Sequence, residues 1–166
     1  MKITSAIILA GGKGERLRPY TDKLPKPMVE VLGQPLMEYQ VRWLKHQGVT
    51  HIVFCCGYKH EPIQKYFGDG SKWGMKFDYA IEETPLGRGG AFKNALKFIP
   101  EDEELIIGAN GDELIGEELE PMVEQHLQNQ AAGTLLLVKL VSPFGIVDLD
   151  DDSKITNFRE KPRFSN

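Results

Sequence analysis

Apolar runs at residues 3–9, 51–56, 76–81, 104–108 and 133–141 read as β-strands separated by segments of a different period. In those segments Met37, Val41 and Leu44 recur at helical spacing. Phe92, Ala95, Leu96 and Ile99 do the same, as do Leu119, Met122, Val123 and His126. Each set predicts a helix with one core-facing stripe. Strands alternating with helices predict an α/β fold with a mostly parallel sheet flanked by helices. Residues 144–148 and 154–158 enclose the polar stretch Asp150 to Ser153 and read as a hairpin at one edge of that sheet. No internal repeat, linker or low-complexity segment interrupts the pattern, and 166 residues suit a single domain over 1–166.

Composition narrows the function classes. A net charge of −4 argues against general nucleic-acid affinity, which needs a clustered basic excess. Cys55 and Cys56 are adjacent within an apolar run, without zinc-type spacing, and read as small buried hydrophobes in a reducing compartment. No apolar run approaches membrane-spanning length, and the amino-terminal apolar stretch is too short for a signal peptide. The expectation is a cytoplasmic chain without a membrane or nucleic-acid partner; self-association into homo-oligomers stays open.

The candidate chemistry begins immediately after the first strand, at Leu9-Ala-Gly-Gly-Lys-Gly-Glu-Arg-Leu-Arg18. Three glycines let backbone N–H groups approach an anion, and Arg16 adds a planar donor fork suited to phosphate. The loop is neither G-x-G-x-x-G nor a P-loop ending in G-K-[ST]. Lys13 and Arg18 add charge, and Lys26 follows between Pro25 and Pro27, which stiffen the backbone around its ammonium. Asp112, in Asn110-Gly-Asp112, stands just past an apolar strand, where open α/β sheets bind ligands. A hard carboxylate there suits Mg²⁺ shared with substrate phosphates.

These segments together resemble the sugar-1-phosphate nucleotidyltransferases, also called nucleotide-sugar pyrophosphorylases. LAGGKGERL and PKPMVEVLGQP carry the resemblance, which continues through GDGSKWG, EETPLGRGGA, NGDEL, FG at 144–145 and FREKP across the chain. The resemblance implies a Rossmann-like nucleotidyltransferase domain and Mg²⁺-assisted attack of a sugar 1-phosphate on the α-phosphorus of a nucleoside triphosphate. It assigns the nucleotide to Leu9, Ala10, Gly11, Gly12 and Gly14, and the base to Glu82, Pro85 and Gly87. Arg16, Lys26 and Asp112 become the catalytic set, with Asp112 as metal ligand. Gly145, Glu160 and Lys161 fall at the sugar-1-phosphate end.

A carboxylate at Glu82 accepts paired hydrogen bonds from the N1–H and N2–H₂ edge of guanine, so GTP is the expected triphosphate. Two departures qualify the match. Arg88 replaces a small Thr of the related pattern, and the sequence ends near where the family continues into further sugar-binding strands and a second metal-binding Asp, so the domain reads as truncated at its carboxyl end. A noncatalytic nucleotide-binding or regulatory module of the same fold is the alternative.

Overall fold

The computed structural model describes residues 3–12, 14–57, 59–139 and 141–163. In chain order the elements are β1 (Ser5–Leu9), β2 (Glu30–Val31), β3 (Gln34–Pro35), α1 (Leu36–His46), β4 (His51–Cys56), α2 (Glu61–Phe67), β5 (Lys76–Ile81), α3 (Gly87–Ala95), β6 (Ile106–Asn110), α4 (Glu120–Gln128), β7 (Ile146–Leu149) and β8 (Ile155–Arg159). They fall into two compact units, residues 1–118 and 119–166.

The first unit is built on a four-stranded sheet in the order β5-β4-β1-β6, with every neighbouring pair parallel. Strand alternation divides its core. Ala6, Ile8, Ile52, Phe54, Cys56 and Phe77 pack with Met37, Val41 and Leu44 of α1 and with Ile63 and Phe67 of α2. Ile7, Val53, Cys55 and Ala80 point the other way, against Ala91 and Ala95 of α3. Helices therefore cover both faces, which a parallel sheet requires because its strands are apolar on both sides. The chain passes from β1 through β4 to β5 on one side, then crosses to β6 on the other. That reversal opens a crevice at the carboxyl ends of the strands.

Several boundaries differ from the sequence expectation for physical reasons. The first strand begins at Ser5 because the Thr4 N–H is taken by Glu103 Oε1 at 3.0 Å. The strand expected at 104–108 lies instead at Ile106–Asn110, since its parallel register matches Ser5 to Ile106 and Leu9 to Asn110. Helix α2 was not anticipated; Ile63 and Phe67, one turn apart, bury its inner face.

In the second unit, α4 forms where the periodicity predicts, but none of its residues is fully buried. The expected strand at 133–141 does not form. Among the described residues of that run only Val141 makes a bridge, to Arg163, while Leu135 and Val138 are 82% and 85% exposed. A backbone open to water satisfies its hydrogen bonds without a ladder partner. The 144–158 hairpin is present as β7–β8, a separate two-stranded antiparallel sheet and not an edge of the parallel one. Asp150 turns it, with Oδ1 accepting the N–H groups of Asp152 (3.0 Å) and Lys154 (2.9 Å).

Candidate active site

A cavity of about 1250 Å³ opens at the carboxyl ends of the parallel strands in the first unit. Its floor is the β1 loop. The Ala10 N–H bonds to the Cys55 carbonyl and the Gly111 N–H to the Leu9 carbonyl, both at 2.9 Å, which anchors the loop between two strands. Beyond that point no backbone carbonyl among the described residues takes the N–H of Gly11, Gly12 or Gly14. These donors meet a cavity, and a polyphosphate is the kind of acceptor that fits them. Gly14 is needed for shape as well: at φ 60° an added Cβ would lie 2.9 Å from Thr21 Cγ2 and 3.0 Å from Lys26 Cβ. The Thr21 hydroxyl donates to the Gly14 carbonyl at 2.8 Å and closes this packing.

Arg16 and Lys26 line the same cavity, whereas Arg18 pairs with Asp22 at 3.6 Å. Lys13 lies outside the described residues. Ala10 is buried and, with its N–H occupied, supports the loop from behind. Asp112 enters from the end of β6, and its Oδ2 forms an ion pair with the Lys26 ammonium. Both side chains stay about one-third exposed, at 35% and 30%. Beside them the Asn110 amide donates to Glu113 Oε1 at 2.8 Å.

The Lys26 ammonium shows that a cation is accommodated against Asp112 in the cavity. Among the described residues no three His, Cys, Asp or Glu side chains cluster as a metal cage. Mg²⁺ characteristically takes one or two carboxylates and completes its shell with phosphates and water, so the residues present fit that mode.

The opposite wall comes from the chain after β5. The Glu82 N–H donates to the Cys56 carbonyl at 2.8 Å, and Glu82 Oε2 accepts the Leu86 N–H at 3.1 Å. The carboxylate thus braces its own loop, and Oε1 together with the second lone pair of Oε2 remains for a ligand. Glu83, Pro85, Gly87 and Arg88 line the cavity here. Arg88 adds to this wall the third cation of the cavity lining, after Arg16 and Lys26, opposite the two glutamates in charge. Cys55 also reaches the cavity, but burial, with the Glu82 charge secondary, pushes its thiol up to about 12. Its neighbour Cys56 is likewise pushed up by burial to about 12. Neither thiol is a nucleophile at neutral pH.

Residues 5–166 match the family described as Nucleotidyl transferase. The chain belongs to that family. It is 40% identical over 158 residues to a D-glycero-alpha-D-manno-heptose 1-phosphate guanylyltransferase from Aneurinibacillus thermoaerophilus, covering 94% of this chain and 67% of that protein. It is 35% identical over 170 residues to a UTP–glucose-1-phosphate uridylyltransferase from Synechocystis, covering 95% of this chain and 44% of that protein. Among solved structures, HddC from Yersinia pseudotuberculosis, complexed with GMP-PN, superposes with a TM-score of 0.67 at 31% identity, over 96% of this chain and 70% of that one. The chain thus spans about half to two thirds of the length of these relatives.

In this nucleotidyltransferase family member, Gly145, Glu160 and Lys161 belong to the second unit. The β7–β8 hairpin brings the first two together. A Cβ on Gly145 would meet the Phe158 ring at 2.5 Å and Glu160 Oε2 at 3.2 Å, so only glycine lets Phe158 and Glu160 sit where they do. Lys161 follows at φ 41°. The sequence reading missed Gly57, which lines the cavity just after β4. Its signal was positional, since the strand-end rule that selected Asp112 applies equally to β4.

Proposed function

We propose that this chain transfers a nucleotidyl group from a nucleoside triphosphate, with GTP favoured, to a sugar 1-phosphate, releasing pyrophosphate. The observation that carries the reading is the convergence of the glycine loop, Arg16, Lys26, Asp112 and Glu82 on one cavity. A sugar 1-phosphate is already largely ionised near neutral pH, so its oxygen attacks without a strong general base. What the protein supplies is alignment and charge neutralisation. The Gly11, Gly12 and Gly14 N–H groups hold the triphosphate, and Arg16 grips the departing pyrophosphate. Lys26 leaves Asp112 to offset charge around the α-phosphate. The family resemblance assigns the sugar 1-phosphate to Gly145, Glu160 and Lys161 of the second unit. Asp112 would hold Mg²⁺, which would supply further neutralisation of the phosphate charge.

Labelled pyrophosphate, offered with a panel of GDP-, UDP- and dTDP-sugars, should enter a triphosphate; binding without label transfer would mark a noncatalytic module instead. Arg16→Ala should weaken triphosphate binding by about 1.5–3 kcal/mol, the range for hydrogen bonds to charged groups. Calorimetry on the folded variant checks this, and unchanged affinity refutes it. For the base, the chemistry of Glu82 supports guanine, because uracil and thymine would set a carbonyl oxygen against the carboxylate. Competition among GTP, UTP, dTTP, ATP and CTP, repeated with Glu82→Gln, should show a GTP preference that the substitution erodes. Preference for a pyrimidine triphosphate would remove the assignment.

A further inference from the structure

A second cavity in the first unit, of about 390 Å³, is walled by Arg42, Lys45, Tyr66, Lys72 and Trp73, none of which borders the candidate active site. Arg42 and Lys45 stand three residues apart on one face of α1. Tyr66 comes from α2. Lys72 and Trp73 come from the 68–74 turn that the GDGSKWG segment forms.

That turn is tightly fixed. Gly70 adopts φ 90°, and an added Cβ would lie 2.5 Å from the Met75 carbonyl oxygen. The Gly70 carbonyl accepts the N–H groups of Trp73 (2.9 Å) and Met75 (3.1 Å), and the Tyr79 hydroxyl donates to the Gly68 carbonyl at 2.6 Å. Two of the cations are anchored in turn. Arg42 Nε donates to Glu38 Oε1 at 2.7 Å, and its guanidinium lies 5.6 Å from the centre of the Trp73 ring. Lys45 Nζ donates to the Trp73 carbonyl. The Glu38 side chain is only 3% exposed, and its other oxygen accepts the Tyr66 hydroxyl. Its charge is therefore enclosed beneath Arg42. Two further carboxylates lie near: Glu30 acts on Tyr66, and Asp69, whose Oδ1 accepts the Ser71 N–H at 2.9 Å, stays ionised, with the Ser71 bonds first and the Lys72 charge also among the causes.

We infer that this cavity binds the phosphate of a phosphorylated small molecule. Arg42 carries five N–H donors and each lysine three, so donors remain after the internal bonds are made. The arginine and Lys45 are already held in place, so a ligand orders fewer side chains on binding. Tyr66 and Trp73 offer flat apolar surface to whatever the phosphate is attached to. Inorganic pyrophosphate and a nucleoside diphosphate share the phosphate chemistry and differ in use of that surface.

The test uses the full chain carrying Trp43→Phe, which leaves Trp73 as the sole tryptophan, and compares it with the same protein also carrying Lys45→Gln and Lys72→Gln. Inorganic pyrophosphate should change Trp73 fluorescence saturably, and the lysine pair should weaken that response at least tenfold. Arg16→Ala should leave it intact while weakening binding at the first cavity. A GDP response at tenfold lower concentration than pyrophosphate supports a ligand with a ring; equal responses support a bare phosphate group. An equal response to sodium chloride at matched ionic strength, or a pyrophosphate response unaffected by the lysine pair in folded protein, overturns the proposal.

Discussion

Two apolar runs that look alike in sequence meet opposite fates. His51–Cys56 becomes β4, with all six residues buried between two parallel neighbours. Leu135-Leu-Leu-Val138 has no regular structure, and each of its side chains is exposed. The difference lies in what surrounds each run. A β4 side chain finds a helix on either face of the sheet, whereas the 135–138 run has neither a ladder partner nor a covering layer among the described residues. Apolar content gives a segment a reason to be buried, and its neighbours decide whether it is.

The sharpest way to break this comparison is to empty the β4 core. Phe54 stacks on Phe67 with ring centres 5.2 Å apart, meets Phe77 edge-on at 5.2 Å and stacks on Tyr79 at 5.4 Å. Phe54→Ala should cost about 3–5 kcal/mol, because the rigid sheet cannot collapse into the space left. Urea unfolding monitored by circular dichroism measures it; a loss under 1 kcal/mol would mean that β4 is no better supported than the exposed run.

A smaller effect is expected where the sheet is held by polar contacts. Glu103 accepts the Thr4 N–H at 3.0 Å and the hydroxyls of Thr4 and Ser5 at 2.6 and 3.0 Å, pinning the start of β1 beside β6. Burial alone would raise its carboxyl, but these bonds outweigh it and hold the group below its ordinary value of 4.5. Asp78 behaves similarly: burial opposes ionisation, and bonds from Lys76 and His51 prevail. A depressed carboxylate contributes stability that is full above its unfolded value and is lost as pH falls through its folded one. Stability should therefore decline below about pH 4.5, and Glu103→Gln should flatten part of that decline while costing about 1–2 kcal/mol at neutral pH. Unfolding curves between pH 3 and 7 check this, and identical slopes for the two proteins refute it.

Most of the first unit was legible because its local signals and its tertiary needs agree. β4 and β5 fall where the apolar runs place them, and Met37, Val41 and Leu44 are the buried stripe of α1. Glycine loop, Arg16, Lys26 and Asp112 were readable because open α/β sheets put ligands at strand ends, and the cavity gathers all of them. What escaped depended on distant partners. Only the pairing of β6 with β1 shifts it to Ile106, and no local pattern reveals that Glu82 spends one oxygen on Leu86. Nor does sequence spacing bring Arg42 to Trp73 across 31 positions; the fixed 68–74 turn does so.

The smallest stability effect, and the other half of the comparison, belongs to the exposed run. Leu137 is 74% exposed, beside Leu135 at 82% and Val138 at 85%, so a polar side chain there removes little buried area. Leu137→Ser should change unfolding stability by no more than about 0.5 kcal/mol, as surface substitutions do. Association is where it should show, since contiguous exposed apolar surface favours contact between copies. Sedimentation velocity across a concentration series should find Leu137→Ser less self-associated than the parent chain, with an unchanged melting curve. If instead Leu137→Ser lost stability on the scale of Phe54→Ala, residues 135–138 would be packed as firmly as β4, and the contrast between the two runs would fail.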